Sequence, residues 1–377
     1  MKKLFLISLM IVVVGALFFG SCAKQAPAPA PAPAPTPTPA PAPAPAPAPV
    51  EPIKLRFTHP VPLESVHHRA VFVPWAEMIK ERTTAIGKPV EITIFGAQAL
   101  GKLQDQYDLV VKGVADICGN VGTESLAGRF PLNDVMDLPF MFTSATDASL
   151  TAQELFDTHP EFAKELSQTK LLFFQPTAPK HINSRTKQIK TLEDFKGIKV
   201  NSVGGLDVRT IKALGASPVT LMMPEVYAAL ERGALDVGVL EWEGTFAFKW
   251  HEVTKYRTAF PKGLYITHII CSMNWDTWNR LPPEVQKIFE ELSGTYMSKF
   301  AGEAFDEANT HLFDVIMERD KKVGNPEPYY VPENEFQRWV KAATPVYEQW
   351  IADVEAKGLP ARALFEDTQR LAKKYSE

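Results

Sequence analysis

From residue 53 onward, short runs of alternating apolar and polar residues are separated by stretches with helical spacing. In IKLRFTHP (53–60) the apolar residues Ile53, Leu55 and Phe57 alternate with polar neighbours, which predicts a strand. Val71, Trp75, Met78 and Ile79 then recur at helical spacing. VEITIFG (90–96) alternates again, and Leu103, Tyr107, Val110 and Val111 return to the helical period with Gly113 as a C-cap. ADICGNVG (115–122) reads as a strand running into a loop. A βαβαβ order of this kind implies a mostly parallel sheet covered by helices.

A second passage repeats the plan. GIKVNSV (197–203), PVTLM (218–222) and ALDVGVLEW (234–242) read as strands, with helices over 205–214 and 224–233 between them. VVKGVADI (110–117) and LERGALDV (230–237) share one pattern, a helix end, Gly, two residues, Asp and a strand, which suggests two lobes of related build. Beyond Pro282-Pro283, a favourable helix start, residues 281–320 read as one long helix or two joined ones. Further helices are expected over 333–357 and 360–375.

The N-terminus is of another kind. Lys2 and Lys3 precede an apolar run from Leu4 to Phe19, and small residues lead to Cys22 in FGSC. That is the layout of a secretory leader, and residues 4–19 are fewer than the roughly 20 apolar residues a transmembrane helix needs. Twelve Ala/Thr-Pro dipeptides follow at 26–49. Alternating proline favours polyproline II, and 24 residues at about 3.1 Å each reach roughly 75 Å. A cysteine at the cut resembles a bacterial lipoprotein signal, in which it receives lipid. Residues 1–21 are therefore expected to be a signal peptide and 22–50 a lipid-anchored linker, with the body held outside the cytoplasm.

Net charge is −4, and without the three lysines of the first 25 residues the remainder is near −7, which gives no footprint for nucleic acid. Cys118 and Cys271 lie in apolar stretches. They could pair in an oxidising compartment or serve as small buried hydrophobes. No GxSxG, HExxH or GxxxxGK[ST] pattern occurs, and the eight histidines lack paired ligand spacing. Gly204-Gly205 could bring backbone N–H groups near an anion, and Asp207 suits a helix-dipole partner.

Ligands of open α/β sheets sit beyond the carboxyl ends of parallel strands. His59, Asn120 and Thr123 follow strand ends in the first unit, and Glu241, Trp242 and Glu243 do so in the second. Trp242 could stack on a ring or a cation, or be a core or hinge residue. Glu241 or Glu243 could bind an amine, hold a metal ion that bridges to a solute, or be solvated. Phe140 suits the core as well as a ligand.

Several stretches in order resemble the solute-binding proteins of TRAP (tripartite ATP-independent periplasmic) transporters, the four-carbon-dicarboxylate-binding type. They are LRFTHP (55–60), QALG (98–101), DLPFMF (137–142), KTLEDFKGIKV (190–200), ALGASPV (213–219), MPEVYAALERGALD (223–236), HEVTKYRT (251–258) and LPPEVQKIFEE (281–291). The resemblance implies an α/β, two-lobed periplasmic-binding-protein-like fold with a hinge and long C-terminal helices. Lobe 1 would span 51–177 with part of 265–320, lobe 2 would span 178–264 with part of the C-terminal helices, and 281–377 would hold the long helix and those that follow. It also implies capture of a small organic solute, a carboxylate, aromatic or not, between the lobes and its delivery to TRAP permease subunits. No enzymatic activity and no cofactor would be needed, apart from the metal ion named above. The same fold could serve a sensing subunit of a signalling receptor, while a secreted enzyme fits poorly for want of a nucleophile–base or metal set.

The resemblance also marks positions. Where the family usually carries a carboxylate-binding arginine this chain has Asn201. A second basic position falls at Lys180-His181, a frequent aromatic at Met223, and a polar position at Leu240. The departure at Asn201 argues against a simple dicarboxylate and leaves Lys180 or Arg209 to meet a carboxylate.

Overall fold

The computed structural model describes residues 51–126 and 128–377; Cys22, the leader and the Ala-Pro segment lie outside the described residues. The first alternating run forms strand β1 (Ile53–Thr58), with Leu55 and Phe57 buried and Lys54 and Arg56 exposed. It lies parallel between β2 (Val90–Phe95) and β3 (Ile117–Gly122), and the chain adds β4 (Lys170–Phe174) to the same sheet. It then crosses to a second sheet made of β5 (His181–Ser184), β6 (Lys199–Ser202), β7 (Ser217–Thr220), β8 (Val237–Leu240) and β9 (Tyr256–Ala259). It returns to the first sheet as β10 (Ile269–Met273), and β11 (Tyr329–Tyr330) closes an edge of the second. The orders are β2-β1-β3-β10-β4 and β11-β9-β5-β8-β6-β7. Each sheet carries one lobe of an α/β fold.

Only part of each sheet is parallel. β10 runs antiparallel to β3 and β4, and β5 runs antiparallel to β8 and β9, because these strands belong to the crossings between lobes. The parallel parts, β2-β1-β3 and β7-β6-β8, repeat one plan. Asp116 Oδ2 accepts the Arg56 N–H at 2.8 Å, and Asp236 Oδ2 accepts the Lys199 N–H at 3.1 Å. The glycines three residues earlier, Gly113 and Gly233, both have φ above +70° and end their helices in the left-handed conformation. The shared Gly-x-x-Asp pattern thus carries the same turn chemistry in both lobes.

The two crossing segments run side by side. Gln175 N–H bonds Ile269 O at 2.9 Å, Thr177 N–H bonds Thr267 O at 3.0 Å, and Lys180 N–H bonds Tyr265 O at 2.9 Å. The long helix Gly294–Val323, 30 residues and so about 45 Å, follows both lobes. Near its middle, Asp306 accepts the Ala145 and Thr146 N–H groups at 2.7 and 2.9 Å, capping the first-lobe helix Ala145–Thr158. A Cβ on Gly302 would lie 2.6 Å from Thr146 Cα, so glycine permits this approach. Toward its end, Asp320 pairs with Arg257 of β9.

One expectation needs correction. The strand read over 234–242 ends at Leu240, where its partner β5 begins at His181; Glu241 caps and Trp242 opens a helix, Trp242–Ala247. Of the two readings of 281–320, the structure has the second: two helices, Pro283–Glu291 and Gly294–Val323, separated at Leu292-Ser293. Helices Glu333–Glu355 and Ala361–Ser376 follow.

Cys118 and Cys271 are both free and buried. They sit on adjacent strands but point to opposite faces. Cys118 packs with Tyr107, Phe130 and Phe174, and Cys271 with Phe57, Trp75 and Phe173. Cys118 Sγ faces Ser272 Oγ at 3.4 Å. Burial pushes the Cys118 thiol up to about 11 and raises that of Cys271 as well. Neither is expected to react with a maleimide in the folded chain, and both should label once urea unfolds it. Labelling of either in the native protein would contradict the two-faced burial.

Candidate functional site

The first crossing segment carries Lys180 into the space between the lobes. Its backbone is fixed, since its N–H bonds Tyr265 O and its carbonyl accepts the Leu264 N–H at 2.8 Å. Its ammonium donates to Thr267 Oγ1 at 2.6 Å and lies 5.0 Å from the centre of the Tyr265 ring. Among the described residues, Lys180 and Arg257 are the two buried Lys or Arg side chains. Arg257 is committed to Asp320.

Acids collect around this lysine. Asp207, in the first turn of the helix Gly205–Ala213, and Glu241, just past β8, are both buried and feel the Lys180 charge, which offsets part of the rise that burial imposes on their carboxyls. Glu241 Oε2 has no hydrogen-bond partner. A Cβ on Gly244 would lie 2.7 Å from Glu241 Oε1, so the turn into the helix can pass the carboxyl only as glycine. Glu243 bridges the lobes: its Oε1 accepts the Val66 N–H at 3.2 Å, and its own N–H bonds Asn309 Oδ1 of the long helix at 3.1 Å. Burial, reinforced by Glu241, pushes its carboxyl up to about 7.

An aromatic wall flanks the acids. His181 stacks on Trp242 with ring centres 4.9 Å apart, and Phe313 of the long helix packs on Trp242 at the same distance. His181 Nδ1 accepts the Phe260 N–H at 3.3 Å, which leaves its proton on Nε2. Burial holds this imidazole neutral by pushing it down to about 3. A pocket of about 440 Å³ opens at Asp207, between Gly128, Pro131 and Asp134 of the first lobe and Gly205 and Arg209 of the second. Another pocket, about 500 Å³, is lined mostly by exposed side chains such as Glu81, Arg82 and Tyr296, and holds none of these buried groups.

Lys180, His181, Glu241 and Trp242 thus come together, with Glu243 beside them. The other sequence candidates have different settings. Asn201 Oδ1 accepts the Val239 N–H at 2.7 Å and so ties β6 to β8. Met223 begins the helix Met223–Glu231 and packs on the cluster around Val226 and Trp250. Thr123 donates to Asp137 Oδ2 at 3.1 Å within the first lobe. His59 meets His68 at 2.9 Å and, buried against it, is pushed down to about 4. Asn120 has φ +54° where the β3–β10 register slips, a bulge that turns the strand end. Phe140 packs with Phe260 and Phe336 in the second-lobe core. Arg209 reaches outward to Asp353 at 2.6 Å. Among the described residues, no group of three or more His, Cys, Asp or Glu side chains could hold a metal ion.

Sequence reasoning missed Thr267, Tyr265 and Gln175 on the crossing segments; Gln175 is fully buried with neither amide atom bonded. Asp207 was placed as a helix-dipole partner, and its burial beside Lys180 adds it to the site. Only the juxtaposition of the two crossings could have found them.

Comparison with known proteins agrees with this architecture. Residues 57–353 match the family described as bacterial extracellular solute-binding protein, family 7. The crystal structure of a TRAP solute-binding protein from Rhodoferax ferrireducens with copurified benzoate is similar, with a TM-score of 0.79 and 28% identity over 86% of this chain and 98% of that one. One from Bordetella bronchiseptica with bound mandelate has a TM-score of 0.76 and 25% identity over 85% and 99%. The C4-dicarboxylate-binding periplasmic protein of Rhodobacter capsulatus is 24% identical over 320 residues, 82% of this chain and 90% of the relative.

Proposed function

The chain belongs to family 7 of the bacterial extracellular solute-binding proteins, and on that premise we propose that it is the receptor of a TRAP transporter for a small, ring-bearing carboxylate. The observation that carries this reading is the buried Lys180 ammonium on the interlobe crossing, beside the Trp242–His181 stack. A carboxylate entering between the lobes would meet Lys180 and the Thr267 hydroxyl, and a charge-assisted bond there is worth more than a neutral one. The aromatic wall offers apolar area for a ring. With no arginine at position 201, a second carboxylate has no matching cation, which favours a monocarboxylate over a dicarboxylate. The benzoate and mandelate held by the similar structures point to the same class.

Capture would work by closure. Both lobes contact the solute, which stabilises the closed form by its differential affinity. The Glu243–Val66 bond across the boundary, at 3.2 Å, would support that form. The closed, loaded receptor would deliver the solute to an ion-gradient-driven permease. Cys22 would carry the lipid, and the Ala-Pro linker would let the body work up to roughly 75 Å from the membrane.

Thermal shift against a panel of organic acids tests the reading. At about 100 times its dissociation constant, a true solute adds roughly 2.7 kcal/mol and raises the melting point by several degrees. Aromatic monocarboxylates should give the largest shifts and succinate little. Absence of a shift with every acid would remove the receptor reading. Independently, Cys22→Ser should move the protein from the membrane fraction to the soluble one; retention in the membrane would rule out the lipid anchor.

A further inference from the structure

We infer that the solute carries a protonated nitrogen as well as a carboxylate, and that Glu241 is the partner of that nitrogen. The inference rests on the carboxylate-receptor reading and adds a second, oppositely charged contact to it. Two buried carboxyls, Asp207 and Glu241, feel one buried ammonium, Lys180, and a third, Glu243, lies beside Glu241. The stacked His181 is neutral and contributes no charge.

Two of the acids have backbone partners. Glu243 Oε1 accepts the Val66 N–H, and Asp207 accepts a backbone bond from Val203. Glu241 differs. Its side chain is buried at 4% exposure; its carboxyl feels Lys180 and its own backbone N–H, but Oε2 has no hydrogen-bond partner. Native proteins rarely leave a buried carboxyl oxygen unbonded, because the lost hydration is not replaced.

A plain monocarboxylate does not repair this. It would bring a further negative charge to Lys180 and draw that ammonium away from the acids around it. A solute with a protonated amine repairs both faults: its carboxylate takes Lys180, and its N–H group takes Glu241 Oε2. The neighbouring Trp242 offers a cation an aromatic surface at the same place. The class is therefore the zwitterionic acids, amino acids or amine-bearing ring acids, in place of simple anions.

The test pairs acids of one skeleton with and without the amine, near neutral pH, by calorimetry on the full chain: phenylalanine against 3-phenylpropionate, and 4-(aminomethyl)benzoate against benzoate. In at least one pair the amine-bearing member should bind about tenfold tighter or more, as expected for one charge-assisted hydrogen bond. Glu241→Gln should abolish the difference by weakening only that member, whereas Glu243→Gln should keep it. Glu241→Gln should also melt at the same temperature as the parent or higher, since it removes a buried carboxyl whose Oε2 is left without a hydrogen bond. Equal or tighter binding of the amine-free acids, or a preference that survives Glu241→Gln, would overturn the inference while leaving the receptor reading intact. If no acid of either kind binds, the receptor reading fails, and the inference with it.

Discussion

Replacing Lys180 with methionine is expected to weaken capture of the organic acid by about a hundredfold or more. A hydrogen bond between charged groups contributes about 1.5–3 kcal/mol, and each 1.4 kcal/mol is a factor of about ten. The loss is compounded because Asp207 and Glu241 lose the charge that offsets them, so an incoming carboxylate would meet acids only. Methionine keeps the apolar stem and its packing. The crossing itself survives the change, since it is held by the Lys180 backbone N–H and carbonyl. Calorimetry with the best acid from the thermal-shift panel reads the effect. An affinity within about threefold of the parent would take Lys180 out of the binding contact.

The largest effect on stability is expected at Arg257. Its guanidinium is fully buried, with Nε donating to Asp320 Oδ2 at 3.1 Å, Nη1 to Asn183 Oδ1 at 3.3 Å and Nη2 to Thr254 O at 3.1 Å. These bonds fasten the end of the long helix to the second sheet. Arg257→Ala leaves Asp320 as a buried charge without its principal partner; Arg319 Nη1, 3.1 Å from Asp320 Oδ1, compensates only from the half-buried rim. Breaking one side of a buried pair typically costs about 3–5 kcal/mol, a large share of the 5–15 kcal/mol that holds a typical domain together. Urea unfolding should show the midpoint falling accordingly. Replacing both partners with apolar residues should recover much of the loss, because no buried charge is then stranded. A loss below about 1 kcal/mol for the single variant would mean that water reaches Asp320.

Much of the fold was legible. The alternation at 53–60 and 90–96, the helical spacing between them and the Gly-x-x-Asp turns all report local geometry, and the structure has strands and turns at those places. Burial on one face of a strand or helix writes a period into the sequence, so these elements could be read without neighbours. The break at Leu292-Ser293 could not, since apolar residues continue through it. Nor could the end of β8, which is set by where its partner strand begins.

The site was legible in part. Glu241 and Trp242 were marked because they follow a strand that ends between the lobes, and Lys180 and His181 by family resemblance. Asn201 was marked the same way, yet its carbonyl oxygen is bound to the Val239 N–H. Side-chain commitments of that kind depend on how far apart two strands lie, which no local pattern records.

The sequence by itself determined the class of the fold, the doubled βαβ plan and the absence of GxSxG, HExxH and GxxxxGK[ST] motifs. Tertiary structure alone decided that Cys118 and Cys271 face away from each other, that one lysine on a crossing segment meets two acids, Asp207 and Glu241, drawn from two other elements, and that Glu241 is left with an unbonded oxygen. The division has a physical cause. Periodicity and turn chemistry act between residues a few positions apart, whereas the charges that define the cleft lie some 60 residues apart in the chain, at 180 and 241, and interact only once both crossings and the second sheet are in place.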